Sequence, residues 1–156
     1  MDDEFYMDLA LKQAGKAVEI DEVPVGAVVV DKSGNVIGYG CNSPVSTNDP
    51  TSHAEINAVR MASRALKNYR ITDTDLYVTI EPCIMCMGAI IHARIKRVVF
   101  GAKDAKWGAV NSLYTMADDK RLNHHPEIRS GVCEDKAIKI IKDFFKVRRS
   151  KEWETR

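Results

Sequence analysis

The chain has 156 residues, 45% of them hydrophobic, and a formal net charge of +1 from 23 basic and 22 acidic side chains. That length supports one domain with a proper core, and so balanced a charge excludes strong overall attraction to nucleic acid or membrane, leaving any basic surface local. Four cysteines, two of them in a C-x-x-C, argue for reduced thiols and metal rather than a disulfide framework.

The start, Met1-Asp2-Asp3-Glu4, is acidic and lacks the basic-then-apolar pattern of a signal peptide. Apolar runs such as 25–30 and 84–91 are too short to cross a bilayer, so a soluble cytoplasmic protein is expected. Met7, Ala10, Leu11, Ala14, Ala17 and Val18 recur at helical spacing and predict an amphipathic N-terminal helix. Strands are expected over 25–31 and 36–40, joined through the turn Lys32-Ser33-Gly34-Asn35, and 41–50 reads as loop. A helix follows over 54–66, then a strand over 76–80, a short helix opened by Glu81-Pro82 and running to His92, and a strand over 97–101. Residues 102–126 read as loop with a short helix around 113–117, and 127–132 as a last strand. Ala137, Ile138, Ile141, Phe144 and Phe145 form the stripe of a C-terminal helix, with Phe145 expected in the core. Strands alternating with helices predict an α/β sheet covered on both faces and largely parallel after the initial hairpin. Ligands of such sheets bind beyond the carboxyl ends of the strands, where helices begin.

Two short segments carry most of the chemistry: His53-Ala54-Glu55 and Pro82-Cys83-Ile84-Met85-Cys86, together H-x-E…P-C-x-x-C. Zinc takes His nitrogen and Cys thiolate tetrahedrally, and three protein ligands leave a position for water. His53, Cys83 and Cys86 are the expected ligands, and Glu55 is the non-ligand acid of a hydrolytic site. Each has a blander reading. Ser52-His53-Ala54-Glu55 is also S-x-x-E, a capping box. Cys83 and Cys86 alone would suit a redox pair. Cys41, as a fourth ligand, would close the coordination sphere and make the metal structural. Cys133 is expected as a buried apolar residue, His92 as a capping or core residue, and His124-His125 as lining a pocket or facing water. Asn42 suits a turn, yet its amide can also read a base edge. The tail from Lys142 sets Lys142, Lys146, Arg148, Arg149, Lys151 and Arg156 against Asp143, Glu152 and Glu154, a solvated face or a phosphate grip.

The chain resembles the bacterial tRNA-specific adenosine deaminases of the cytidine-deaminase-like superfamily. The resemblance rests on residues 23–30 (VPVGAVVV), 49–56 (DPTSHAEI), 68–70 (NYR), 76–85 (LYVTIEPCIM), 92–109 (HARIKRVVFGAKDAKWGA) and 144–149 (FFKVRR). The H-A-E and P-C-x-x-C parts belong to zinc nucleobase deaminases broadly; V-P-V-G-A, G-A-K-D-A-K and F-F-x-x-R-R resemble the tRNA enzymes in particular. It implies a three-layer α/β/α sandwich around a five-stranded mixed sheet, with 1–156 as a single zinc-dependent deaminase domain. It further implies one zinc ion per chain, a homodimer, and the wobble adenosine of the arginine tRNA with anticodon ACG as substrate. By the same resemblance Asn42 contacts the target base, while Asp104, Lys106, Phe145, Arg148 and Arg149 lie near the anticodon stem-loop. The metal motif taken alone leaves open a deaminase of a free nucleoside, nucleotide or base, of cytidine or guanine type. A silent zinc RNA-binding module is the remaining alternative, against which the non-ligand Glu55 argues.

Overall fold

The computed structural model describes residues 1–155; Arg156, counted above in the basic tail, lies outside them. Helix α1 (Asp3–Glu19) leads into strands β1 (Gly26–Val30) and β2 (Val36–Cys41). After a four-residue helix α2 (Pro44–Thr47) come α3 (Ala54–Leu66), β3 (Asp75–Ile80), α4 (Ile84–Ala93) and β4 (Arg97–Ala102). A 3-10 turn (Met116–Asp118), β5 (Glu127–Arg129) and α5 (Glu134–Glu154) complete the chain.

The five strands lie in the order β2-β1-β3-β4-β5. β1 is antiparallel to both β2 and β3, while β3, β4 and β5 run parallel, so the sheet is mixed and parallel after the hairpin as expected. Its core strands are apolar on both faces, and the period of two sorts them. Ala27, Val29, Leu76, Val78, Val98 and Phe100 pack with Ala58 of α3 and Met87 and Ile90 of α4. Val28, Val30, Tyr77 and Val99 pack on the other side with Tyr6, Met7 and Ala10 of α1 and with Val132 before α5. This is the three-layer α/β/α sandwich.

Two glycines of β2 set how close α3 approaches. A Cβ at Gly38 would fall 2.3 Å from the Ala58 carbonyl oxygen, and one at Gly40 would fall 2.6 Å from that of Ala54. Helix backbone thus lies directly on strand backbone, which fixes the start of α3 against the sheet. The register then gathers one end of the sheet. Gly26 pairs with Cys41, Ala27 with Val78, and Ile80 with Ala102. Val25, Asn42, Glu81 and the loop after Ala102 therefore emerge together, at the carboxyl ends of β3 and β4.

Several expectations are corrected. The loop over 41–50 contains α2, held where Glu22 accepts a hydrogen bond from the Ser46 amide at 2.6 Å. The last strand ends at Arg129, because β4 offers it partners only over Arg97–Val99. The short helix expected around 113–117 is a 3-10 turn centred two residues later. Phe145 is not in the core: Phe144 is buried, and Phe145 is 38% exposed, one helical step away with the rings edge to face at 5.3 Å.

Candidate active site

The two halves of the metal motif meet because both open helices at the same end of the sheet. His53 is the extended residue just before α3, and Cys83 the extended residue just before α4, with Cys86 in that helix's first turn. Helix starts leave backbone N–H groups unpaired, which favours thiolate there. The His53 Nδ1 lies 3.6 Å from the sulfur of Cys83 and 3.6 Å from that of Cys86. A tetrahedral zinc, with bonds of about 2.3 Å to sulfur and 2.0–2.1 Å to nitrogen, requires an S···N edge of about 3.6 Å. The donor set therefore fits zinc, with a fourth position left for a small ligand. Cys41 is not in the cluster, so no fourth protein ligand is gathered among the described residues. Before metal enters, Cys83 is the charged member of the thiol pair. The hydrogen bond from Cys86 and that with His53 bring it down to about 4, while the same sulfur contact and burial push Cys86 up.

Glu55, in the first turn of α3, is 3% exposed. Burial is the largest influence on its carboxyl and pushes it up to about 7, with the nearby Cys83 charge adding to the rise. A carboxyl poised there takes up and releases protons near neutral pH. It is not engaged in a capping box. Ser52 bonds instead to the Ser43 hydroxyl at 2.8 Å and accepts from the Asn57 amide at 3.1 Å. Asn57 also donates to the Cys41 carbonyl at 3.0 Å, stitching the loop after β2 onto α3.

Above these groups opens a pocket of about 470 Å³, lined by Asn42, His53, Glu55, Cys83, Asp104 and Trp107 among others. Two of the expected base- and RNA-contacting residues, Asn42 and Asp104, are thus at the metal site. Lys106 is exposed on the same loop as Asp104 but outside the lining. Phe145, Arg148 and Arg149 are on α5, and none of them lines this pocket. Arg148 stacks over Phe144 at 5.3 Å and faces Asp21 at 3.9 Å, in a groove between α1 and α5. His124 and His125 serve structure: their Nε2 atoms meet the carbonyls of Ile95 and Asp119 at 2.6 and 2.8 Å. His92 is exposed at the end of α4, and Cys133 is half-buried before α5.

Sequence reasoning missed two residues. Glu81 is 2% exposed and accepts from the Ser112 hydroxyl at 2.5 Å and its amide at 3.2 Å, tying the 104–112 loop to the metal-ligand segment. Trp107, on that loop, stands 66% exposed at the pocket's rim. The only sequence signal for either was an acid before Pro82 and an aromatic flanked by Lys106 and Gly108.

Residues 1–102, which include both halves of the metal motif, match the cytidine and deoxycytidylate deaminase zinc-binding region. The chain is 47% identical to the tRNA-specific adenosine deaminase of Haemophilus influenzae, over 96% of this chain and 87% of that one. It is 45% identical to the enzyme of the same description from Agrobacterium fabrum, over 92% and 94%. A structure from a study of A-to-I editing by tRNA:A34 deaminases matches 87% of this chain and 98% of its own at 46% identity, with a TM-score of 0.84. The guanine deaminase of Bacillus subtilis matches 66% of each chain at 40% identity, with a TM-score of 0.62. Similarity of that extent, over a span that includes the His, Glu and Cys segments the fold brings together, means that the chain belongs to the tRNA-specific adenosine deaminases of the zinc-binding cytidine and deoxycytidylate deaminase family.

Proposed function

We propose that residues 1–156 act as a single zinc-dependent domain that hydrolyses the wobble adenosine of a tRNA anticodon loop to inosine and ammonia. The arginine tRNA with anticodon ACG is its substrate, one zinc ion per chain its cofactor, and the cytoplasm its compartment. The observation that carries the reading is Glu55, a buried carboxyl that is not a ligand, set beside three converging zinc donors on the floor of an open pocket. The named activities of the relatives and of the tRNA:A34 deaminase structure support the substrate. Among the described residues no helix is long and apolar enough to cross a membrane.

His53, Cys83 and Cys86 hold the zinc, which when bound supplies the Lewis acidity that makes water a usable nucleophile near neutral pH. Glu55 accepts the proton that water gives up and delivers it to the adenine ring nitrogen next to the reacting carbon. As the water oxygen bonds to that carbon, the hydroxyl so formed gives up its own proton, which Glu55 passes to the amine; the C–N bond breaks, ammonia leaves and the carbonyl of inosine remains, so one carboxyl serves first as base and then as acid. Asn42 donates to and accepts from the base edge, a role supported by its place in the pocket lining and by its amide, which can do both. An anticodon loop is already single-stranded, so extruding its base costs less than opening a duplex. Lys106, Phe145, Arg148 and Arg149 hold the surrounding stem-loop, a role supported by the exposure of Lys106, Phe145 and Arg149 and by the charge of Lys106, Arg148 and Arg149. Homodimerisation is supported by α4, which lacks Asp, Glu, Lys and Arg and leaves Ile84 49% exposed with Gly88 and Ala89 half-buried beside open surface.

The likeness to guanine deaminase favours one rival, a deaminase acting on a free base. Product formation from an ACG anticodon stem-loop, free adenosine, free cytidine and free guanine separates the two, with zinc content measured on the same sample. Conversion of the stem-loop alone is expected. Conversion of a free nucleoside or base instead overturns the tRNA assignment and leaves the zinc chemistry standing.

A further inference from the structure

Trp107 is 66% exposed at the rim of the pocket that holds His53, Glu55 and Cys83. A large aromatic left in water at the mouth of a pocket offers a free π-face on which a base can stack. Its backbone, by contrast, is fixed from three directions. The Asp104 carboxylate accepts from the amides of Lys106 and Trp107 at 3.0 and 3.2 Å, and the Asp104 carbonyl accepts from the Gly108 amide at 2.9 Å. Gly108 bridges to Cys83 in the manner of a strand, and the Ala109 amide donates to the Pro82 carbonyl at 2.8 Å. A Cβ at Gly108 would fall 1.9 Å from the Glu81 carboxylate, so the chain lies flat on that buried acid. The backbone that carries the indole is therefore held at a set position relative to the metal ligands while the ring stays accessible. Lys103 and Lys106, both exposed, flank it in sequence.

We propose that Trp107 is a stacking platform for a nucleotide base next to the reacting adenosine, and so a specificity-determining residue of the RNA site. The inference rests on the tRNA reading above. Single-stranded RNA is recognised by stacking unpaired bases on aromatic rings, with nearby cations on the phosphates. With the target base inside the pocket, its neighbour in the strand leaves at the rim, where Trp107 stands. A base stacked there draws the loop out of its own stack, which helps turn the target nucleotide inward.

The chain has two tryptophans, so the full-length Trp153→Phe protein leaves Trp107 as the sole indole. Its fluorescence should be quenched by an ACG anticodon stem-loop. Trp107→Ala should weaken stem-loop binding and raise KM by roughly 5- to 150-fold, the range of a lost base–aromatic stack, with zinc content retained and kcat at saturation little changed. Trp107→Phe should restore most of the loss and Trp107→Leu should not. Stem-loops made abasic at the nucleotide 5′ or 3′ of the target complete the test. At one of the two positions the abasic loss seen with the wild-type protein should vanish in Trp107→Ala. Losses that are undiminished at both positions, or unchanged affinity of Trp107→Ala, overturn the proposal. So does a change in its sedimentation, which would put the indole in a subunit contact. Failure of the wild-type protein to deaminate the stem-loop is a separate result and overturns the tRNA reading itself.

Discussion

Gly108→Ala tests whether the 104–112 loop is positioned by the acid beneath it. The added methyl carbon would fall 1.9 Å from Glu81 Oε2, 2.4 Å from its Cδ and 2.5 Å from the Asp104 carbonyl. Non-bonded heavy atoms settle at about 3.5 Å, so something must move by more than an ångström. Glu81 has nowhere to go without surrendering its bonds to the Ser112 hydroxyl and amide. Bonds to a charged group contribute about 1.5–3 kcal/mol each, so losing one or both costs about 3 kcal/mol after partial relaxation. For a domain of this size that lowers Tm by about 6–12 °C. Chemical denaturation of four proteins measures it: wild type, Gly108→Ala, Glu81→Ala and the double variant. Glu81→Ala removes the obstacle, so Gly108→Ala should cost at least 1 kcal/mol less in that background, within the usual coupling of touching residues. Some cost remains from the Asp104 carbonyl. Equal costs in the two backgrounds would refute the role given to Glu81. In the same series stem-loop turnover by Gly108→Ala should fall further than zinc content, because the displaced loop carries Asp104 and Trp107 while the donors stay on α3 and α4.

Glu55→Gln should keep stoichiometric zinc, read by metal analysis, and lose at least about 10²–10⁴-fold in inosine formation, the contribution of a positioned acid–base group; surviving activity would reduce Glu55 to a packing residue. His53→Ala and Cys83→Ala should lose the metal itself, whereas Cys41→Ala should retain it and its activity, since Cys41 stands outside the donor cluster. Arg148→Ala with Arg149→Ala should weaken stem-loop binding and flatten its dependence on salt, and an unchanged slope would exclude α5 as a phosphate contact. Asp3→Asn should destabilise the fold by about 3 kcal/mol near neutral pH, the cost of removing one partner from a buried ion pair. Hydrogen bonds from Arg97 and Tyr77, with the charge of Arg97, hold the Asp3 carboxyl well below the usual carboxylate range. Its stabilisation is therefore present above about pH 4 and lost as pH falls further, so denaturation midpoints of variant and wild type should converge in acid.

What was legible in the sequence was whatever depends on near neighbours. Strand β1 reads as an unbroken apolar run because both of its faces are buried, and the bounds of α3 were read as they stand because a polar loop and an αL residue, Lys67, close it off. His53, Cys83 and Cys86 were legible because metal coordination constrains residue type and spacing far more tightly than packing does. Ser52 shows the limit of local pattern: S-x-x-E favours a cap, yet Ser43 and Asn57 offered the hydroxyl better partners across the loop. Phe145 failed for a related reason. Adjacent aromatics on a helix diverge by about 100°, so only one of the pair faces the sheet, and the core took Phe144. Glu81 and Trp107 were invisible because their roles are set by Ser112, thirty-one residues on from Glu81, and by a loop without periodicity.

The sheet divides its two tasks between its ends. Near the amino ends of β3 and β4 the buried Asp3 of α1 receives Tyr77 and Arg97, together with Arg129 from the end of the short β5, and Asp75 completes the cluster at 3.4 Å from Arg97. Those charges satisfy one another, so the cluster ties the first helix to the strands. At the carboxyl ends polar groups line a pocket: two of the three zinc donors, His53 and Cys83, and a carboxyl that burial has pushed up to about 7. A metal ion held there would take both sulfurs as thiolates, beside an acid that burial keeps averse to charge. The ion-paired end therefore ties helix to strands while the pocket end presents its groups to ligands. Substitutions around Asp3 should accordingly move stability with little change in kcat, and those around Glu55 should do the reverse.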